Sequence, residues 1–428
     1  MISLSNSIIC PKLVWIGDKF QEGISIRIDS DGNIAEIGKG ICGTDKVIWS
    51  NEALIPGFVN THSHAFHRHL RGRSEIGDES GDTFWRWRDN MYGLVDEIDW
   101  ETMKRLCKST FQEMINAGIT TVGEFHYVHH GEKRFDLDSA VIEAAREAGI
   151  RMCLLTTLYQ RAGFDTPTPH PIQKKRFISD YDEFLSHVRS LKALENETIS
   201  IGVAAHSARA VPFEKITSLW EWANDERVPF HIHLEEQPKE CVDCQKYLGT
   251  KETPMDLILK SIVPNQLFTG VHNTYTSEEN MSKLAKLGAN VSICPCTEGY
   301  LGDGIPKIST KTHLSFGTDC NNRICFLEEI RWAAFTQHVK HNSRNVAGLS
   351  ASRLMHYATI GGARSLNLED KVGSFELGKA FDFVSFSLNS PLLDGLQSDE
   401  LIDGIVFSTG NREISKVGVQ GKLLVDSK

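Results

Sequence analysis

Four histidines fall within eight positions of the segment GFVNTHSHAFHRHLRG, residues 57 to 72, at His62, His64, His67 and His69, directly after an apolar run. Side chains of an extended strand repeat every two residues, so His62 and His64 share one side and can hold one divalent ion together. A lone His-x-His is also a common surface pair, so the reading needs further donors. His233 in HIHLEEQ and Asp319 in SFGTDC end other apolar runs in the same way. Three imidazoles and one carboxylate suit zinc, with water at an open catalytic position. Further polar groups end apolar runs: His126 and Tyr127, His206 and Arg209, Glu236, and His272. His231, two residues before His233, is read as a packed or supporting group, and His69 as structural. His129, His130, His170, His187, His338, His341 and His356 are read as solvated or locally hydrogen-bonded. Cys241-Val-Asp-Cys244 has zinc-knuckle spacing, but Cys294-Pro-Cys296 is not a second such pair, so no structural zinc is expected there.

Such groups converge only if the chain brings those ends together. Eight β-rich apolar runs span 53–60, 120–128, 151–159, 199–207, 229–236, 266–273, 290–296 and 313–319, with longer amphipathic stretches between them. One of these, DWETMKRLCKSTFQEMINAG, spaces Met103, Leu106, Phe111, Met114 and Ile115 at helical intervals and ends at Gly118. Repeated βα units predict an α/β fold, a closed (β/α)8 TIM-like barrel, whose active site is built at the C-terminal ends of its strands. Both chain ends read differently. Residues 1–52 and 373–428 hold short β-type runs broken by turns, SDGN being a hairpin signal. They are expected to meet as one small β-sandwich domain beside a barrel of residues 53–372.

Composition excludes some partners. Lys and Arg number 46 against 56 Asp and Glu, a formal charge of −10, and no basic stripe offers itself to a phosphate backbone. Nucleic acid and membrane are therefore not expected as partners. The opening MISLSNSIIC lacks a basic region followed by a long apolar one, so a cytoplasmic protein with reduced cysteines is expected.

The segments NTHSHAFHRHLRG, HLEEQ, VHNT and FGTD together resemble the amidohydrolase superfamily in its zinc deaminase branch. DTFWRWRDNMY, GEFHYVHH, HSARAV and CPCTEGYLGDGI resemble the N-formimino-L-glutamate deiminases of histidine degradation. The resemblance implies His62, His64, His233 and Asp319 as ligands of one divalent metal ion per chain, zinc. It implies His67, Arg88, Tyr127, His206 and Arg209 as substrate contacts, and Glu236, His272 and Asp319 as catalytic groups. It also implies a homodimer. Binuclear members carry a bridging lysine on a middle strand, and neither RMCLLTTLY nor ISIGVAAHS contains one. The expected substrate is a small dicarboxylate with an amidine-like head, and arginine pairs well with carboxylates. His67 stands where the family usually has glutamine in HSHAFQR. A neutral imidazole keeps one donor and one acceptor, and becomes a cation near pH 6.5 if its surroundings permit. Residues 161–180, rich in Pro and charge, either cover the pocket mouth or form a surface excursion. Two alternatives stand beside the deiminase reading. One is a deaminase of nucleobase-like substrates, which would line its pocket with stacking aromatics. The other is a metal-binding barrel without catalysis.

Overall fold

Runs rich in β-branched and aromatic residues become strands buried on both faces, as a parallel sheet covered by helices requires. In the computed structural model the barrel strands are β1 (Phe58–Ser63), β2 (Ile119–His126), β3 (Arg151–Leu158), β4 (Ile199–Ser207), β5 (Phe230–Leu234), β6 (Phe268–His272), β7 (Asn290–Ile293) and β8 (His313–Phe316). Each pairs in parallel with its neighbour, and Phe316 opposite Asn60 closes the ring. The structure describes residues 2–73, 83–166, 168–344 and 346–427, and only the backbone of 83–89. Helices between the strands complete the TIM-like barrel. In Trp100–Asn116, Asp99 caps the N-terminus by accepting from the Thr102 amide, and the five apolar positions named above are all buried. No helix among the described residues is long and apolar enough to cross a membrane.

The chain ends pair with each other. In order, Ile2–Ser3, Lys422–Asp426, Ile414–Val419, Phe383–Ser387, Lys46–Pro56, Ile8–Ile16, Ile24–Ile28 and Ile34–Lys39 form one mixed sheet, with Lys19–Glu22 added against Ile8–Ile16. Ile8–Ile16 and Lys46–Pro56 run parallel. The sheet curls around its own apolar cluster, including Ile9, Ile26, Leu54, Phe381 and Phe383, so one sheet supplies both faces that a sandwich takes from two. SDGN turns the hairpin between Ile24–Ile28 and Ile34–Lys39, with Gly32 at φ +87° and Asp29 accepting from the amides of Asp31 and Asn33.

The first apolar run differs from expectation. Residues 53–60 are not one strand: 53–56 finish a strand of the mixed sheet, and the barrel begins at Phe58. The change occurs at Gly57, where a Cβ would stand 2.1 Å from Thr120 Oγ1. Only glycine passes there.

A buried ion pair ties the two parts together. Arg151, at the start of β3, donates from Nε to Asp382 Oδ2 (2.9 Å) and from Nη2 to Asp382 Oδ1 (3.1 Å) and Gln420 Oε1 (2.7 Å). Both side chains are almost fully buried. Arg151→Met is expected to strand the Asp382 carboxylate and cost about 3–5 kcal/mol in urea unfolding, whereas pairing it with Asp382→Asn should recover most of the loss. Equal midpoints for the single variant and the native chain would refute this.

Candidate active site

The strand ends deliver their side chains to one cavity. The Asp319 amide donates to the His62 carbonyl and the His64 amide to the Asp319 carbonyl, both at 3.0 Å, which stitches the chain after β8 to the end of β1. Asp319 Oδ1 then lies 3.5 Å from His62 Nε2 and 3.4 Å from His64 Nε2. His233 Nε2 comes within 3.1 Å of His62 Nε2. His272 and Asp319 reach these positions with left-handed backbones, φ 69° and 44°. Non-glycine residues hold that conformation only where the surroundings enforce it.

The far nitrogens explain why the near ones converge. His64 Nδ1 lies 2.8 Å from the Phe125 carbonyl and His233 Nδ1 2.8 Å from the His206 carbonyl. A carbonyl can only accept, so each Nδ1 carries the proton and each Nε2 turns a lone pair inward. Burial holds His62, His64 and His233 far below the usual histidine range, so these rings are neutral. Three imidazole lone pairs and a carboxylate facing one another at such distances repel unless a cation lies between them. A carbonyl on the distal nitrogen is the usual support of a metal-bound imidazole. The donor atoms of His62, His64 and His233 all lie within 4.8 Å of one another, as do those of His62, His272 and Asp319. This set fits a divalent metal ion.

Around this centre, His64, His67, Tyr127, His206, Arg209, His233, Glu236, His272 and Asp319 share the wall of a cavity of about 90 Å3. His62 sits behind them, fully buried. Arg88 belongs to the helix Thr83–Asp96, but its side chain lies outside the described residues. His272 Nε2 is 3.9 Å from Glu236 Oε1 and 3.8 Å from Asp319 Oδ2. Burial opposes a charge on His272, but Glu236, Glu298 and Asp319 outweigh it and push its pKa up to about 10. A divalent cation at the centre acts against that push. Arg209 is held between two carboxylates, Glu236 Oε2 at 3.4 Å from Nη2 and Glu240 Oε2 at 3.6 Å from Nε. Burial raises Glu240 to about 7 against the opposing pull of Arg209.

His67 Nε2 bonds the Tyr127 hydroxyl at 2.9 Å. Burial, with help from His64, drives its pKa well below the usual range, so the added charge near pH 6.5 does not arise. The ring acts as a neutral donor and acceptor, as an amide would. His67→Gln is therefore expected to keep kcat/KM within about threefold of native, with coincident pH profiles from pH 5.5 to 7.5. A limb near pH 6.5 present only in the native protein would contradict this.

Several contacts were not anticipated. Glu298 Oε1 lies 3.2 Å from His272 Nδ1 and accepts from the Cys294 amide at 2.8 Å, fixing the ring that faces the cavity. Asp303 stands beside Glu298 and receives a hydrogen bond from Gln237 Nε2. Both carboxylates lie in CPCTEGYLGDGI, so their segment was conspicuous although their roles were not. Tyr92, Tyr159 and Phe177 add aromatic walls. Phe177 comes from the 161–180 segment, which contains the helix Pro171–Arg176 and whose His170 stacks on Tyr92 at 5.0 Å between ring centroids. That segment forms part of the cavity wall.

The amidohydrolase family model matches residues 53–424. The chain is 31% identical to a formimidoylglutamate deiminase of Pseudomonas aeruginosa, over 98% of this chain and 94% of that one. It is 24% identical to a 5'-deoxyadenosine deaminase of Methanosphaera stadtmanae, over 100% of this chain and 95% of that one. The crystal structure of an amidohydrolase from Brucella melitensis superposes with a TM-score of 0.87 at 28% identity, covering 98% of this chain and 95% of that one.

Proposed function

Because the chain belongs to the amidohydrolase family of metal-dependent hydrolases, we propose that it hydrolyses N-formimino-L-glutamate to N-formyl-L-glutamate and ammonia at one catalytic zinc centre. The observation that carries this reading is Arg209 on the cavity wall beside Glu236, His272 and Asp319. A fixed cation next to acid–base groups suits a substrate with a carboxylate at one end and a hydrolysable C=N bond at the other. The likeness to the Pseudomonas deiminase points the same way.

His62, His64, His233 and Asp319 would hold the ion, and three nitrogens with one oxygen favour zinc. When bound, the ion supplies Lewis acidity that brings the pKa of a water toward neutrality. The water oxygen bonds to the formimino carbon, and its protons pass to the pair of Asp319 and His272, which lie 3.8 Å apart. Glu236, 3.9 Å from His272, relays those protons to the departing nitrogen, the carbon–nitrogen bond breaks, and ammonia leaves with the groups returned to their starting state. Glu298 keeps His272 oriented throughout. Arg209 receives a substrate carboxylate, exchanging part of its pairing with Glu236 and Glu240 for it. Arg209→Met should lower kcat/KM about 10- to 150-fold, the worth of one charge-assisted contact of roughly 1.5–3 kcal/mol, with metal content unchanged. Unaltered kinetics would remove Arg209 from substrate binding.

One observation favours a second reading. Tyr92, Tyr127, Tyr159 and Phe177 line the cavity, and aromatic walls suit a heterocyclic amine. Ammonia release from formiminoglutamate, guanine, cytosine and adenosine separates the two. The expected result is a kcat/KM for formiminoglutamate about 100-fold or more above the others, because a site with buried polar partners rejects analogues that leave them unpaired. Preference for a ring substrate would overturn the deiminase reading and leave the deaminase class in place.

A further inference from the structure

A second group of metal-type donors lies outside the cavity wall. His126, the last residue of β2, His129 just beyond it and Asp138 on the helix Asp136–Ala148 bring their donor atoms within 4.8 Å of one another. All three residues are fully buried. His129 Nδ1 is 3.0 Å from both oxygens of Asp138, and His187, on the helix Tyr181–Lys192, places Nε2 3.5 Å from Asp138 Oδ2.

Hydrogen bonding satisfies His129 and Asp138 but not the rest of this cluster. Apart from an approach to the backbone of Val128, neither ring nitrogen of His126 has a partner of good geometry, and His187 Nε2 also lacks one. A buried imidazole left so is costly. His129 Nε2 meets the Thr157 carbonyl at 2.8 Å, so that nitrogen is protonated, and the Asp138 carboxylate raises the His129 pKa against its burial, so that without a metal a charged ring donates from Nδ1 to Asp138. That proton answers His129 and Asp138 but leaves both ring nitrogens of His126 as they are. A cation among the four would answer all of them at once. The Thr157 carbonyl would then stand behind His129 as the Phe125 carbonyl stands behind His64.

We propose that His126, His129 and Asp138, with His187 as the fourth donor, form a second site for a divalent transition metal, zinc by donor type, that is structural. Two imidazoles and a carboxylate already converge, and His187, 3.5 Å from Asp138, would complete the four protein donors of a closed structural centre. The side chain of His187 is 16% exposed and provides the route of entry. The ion would join the end of β2 to the helices that carry Asp138 and His187. None of this depends on the identity of the substrate.

Metal content after reconstitution with zinc alone and removal of excess tests it. The native protein should hold two equivalents, and His233→Ala, which damages only the cavity site, should keep one. Chelating that last equivalent should lower the melting temperature of His233→Ala. Asp138→Asn should hold one equivalent with kcat/KM unchanged. A native protein with one equivalent and a His233→Ala protein with none would overturn the proposal, and so would two equivalents retained by Asp138→Asn. If Asp138→Asn does not fold, His233→Ala/His126→Ala replaces it: loss of the remaining equivalent supports the site, and its retention refutes it.

Discussion

His233→Ala will lose one equivalent of bound metal and lower kcat/KM by about 10^4-fold or more, because water without an ion keeps a pKa of about 15.7. The imidazole removed has its Nδ1 fixed by the His206 carbonyl and its Nε2 3.1 Å from His62 Nε2, so no neighbouring side chain replaces it. Stripping the native protein with a chelator should abolish the activity, and zinc should restore it, whereas zinc should not rescue the variant. Equilibrium metal analysis alongside ammonia release checks both parts. Substantial activity in a His233→Ala protein that has lost the cavity's equivalent of metal would exclude metal-dependent hydrolysis at this cavity.

Glu236→Gln tests the proton transfers. The variant keeps the size of the side chain and its place 3.4 Å from Arg209 and 3.9 Å from His272 but cannot exchange a proton. A lost general acid–base group typically lowers rate 10^2- to 10^4-fold, and the fall should appear in kcat while KM and metal content hold. A change confined to KM would make Glu236 a binding group and pass the proton to the leaving nitrogen to another residue.

Much of this centre was legible in the sequence because a barrel converts strand order into place. Each of β3 to β8 lies within its predicted run, and β2 begins one residue before its own, since strands buried on both faces read as unbroken apolar stretches. The first failed at Pro56–Gly57 for the same reason: two strands of different sheets follow one another in a single apolar run, and what divides them is the crowding of Thr120, a residue 63 positions away. Ligand candidates could be read from the type and position of His62, His64, His233 and Asp319. What lies behind them could not. Glu298 supports His272 and Glu240 holds Arg209 through contacts that exist only after the barrel closes. The low pKa of His67 follows from burial, which a motif of four histidines does not reveal.

The pairing of chain ends also bears on how the protein is made. Lys46–Pro56 obtains one neighbour from Ile8–Ile16 early in synthesis, but its other neighbour, Phe383–Ser387, leaves the ribosome more than three hundred residues later. Ile2–Ser3 waits longer still, for Lys422–Asp426. Throughout that interval the amino-terminal strands present an open edge to other nascent chains, and such edges recruit foreign strands. Completion of the mixed sheet therefore waits for Ile414–Val419 and Lys422–Asp426, and loss of residues 414–428 would leave the edge of Phe383–Ser387 uncovered for the life of the molecule.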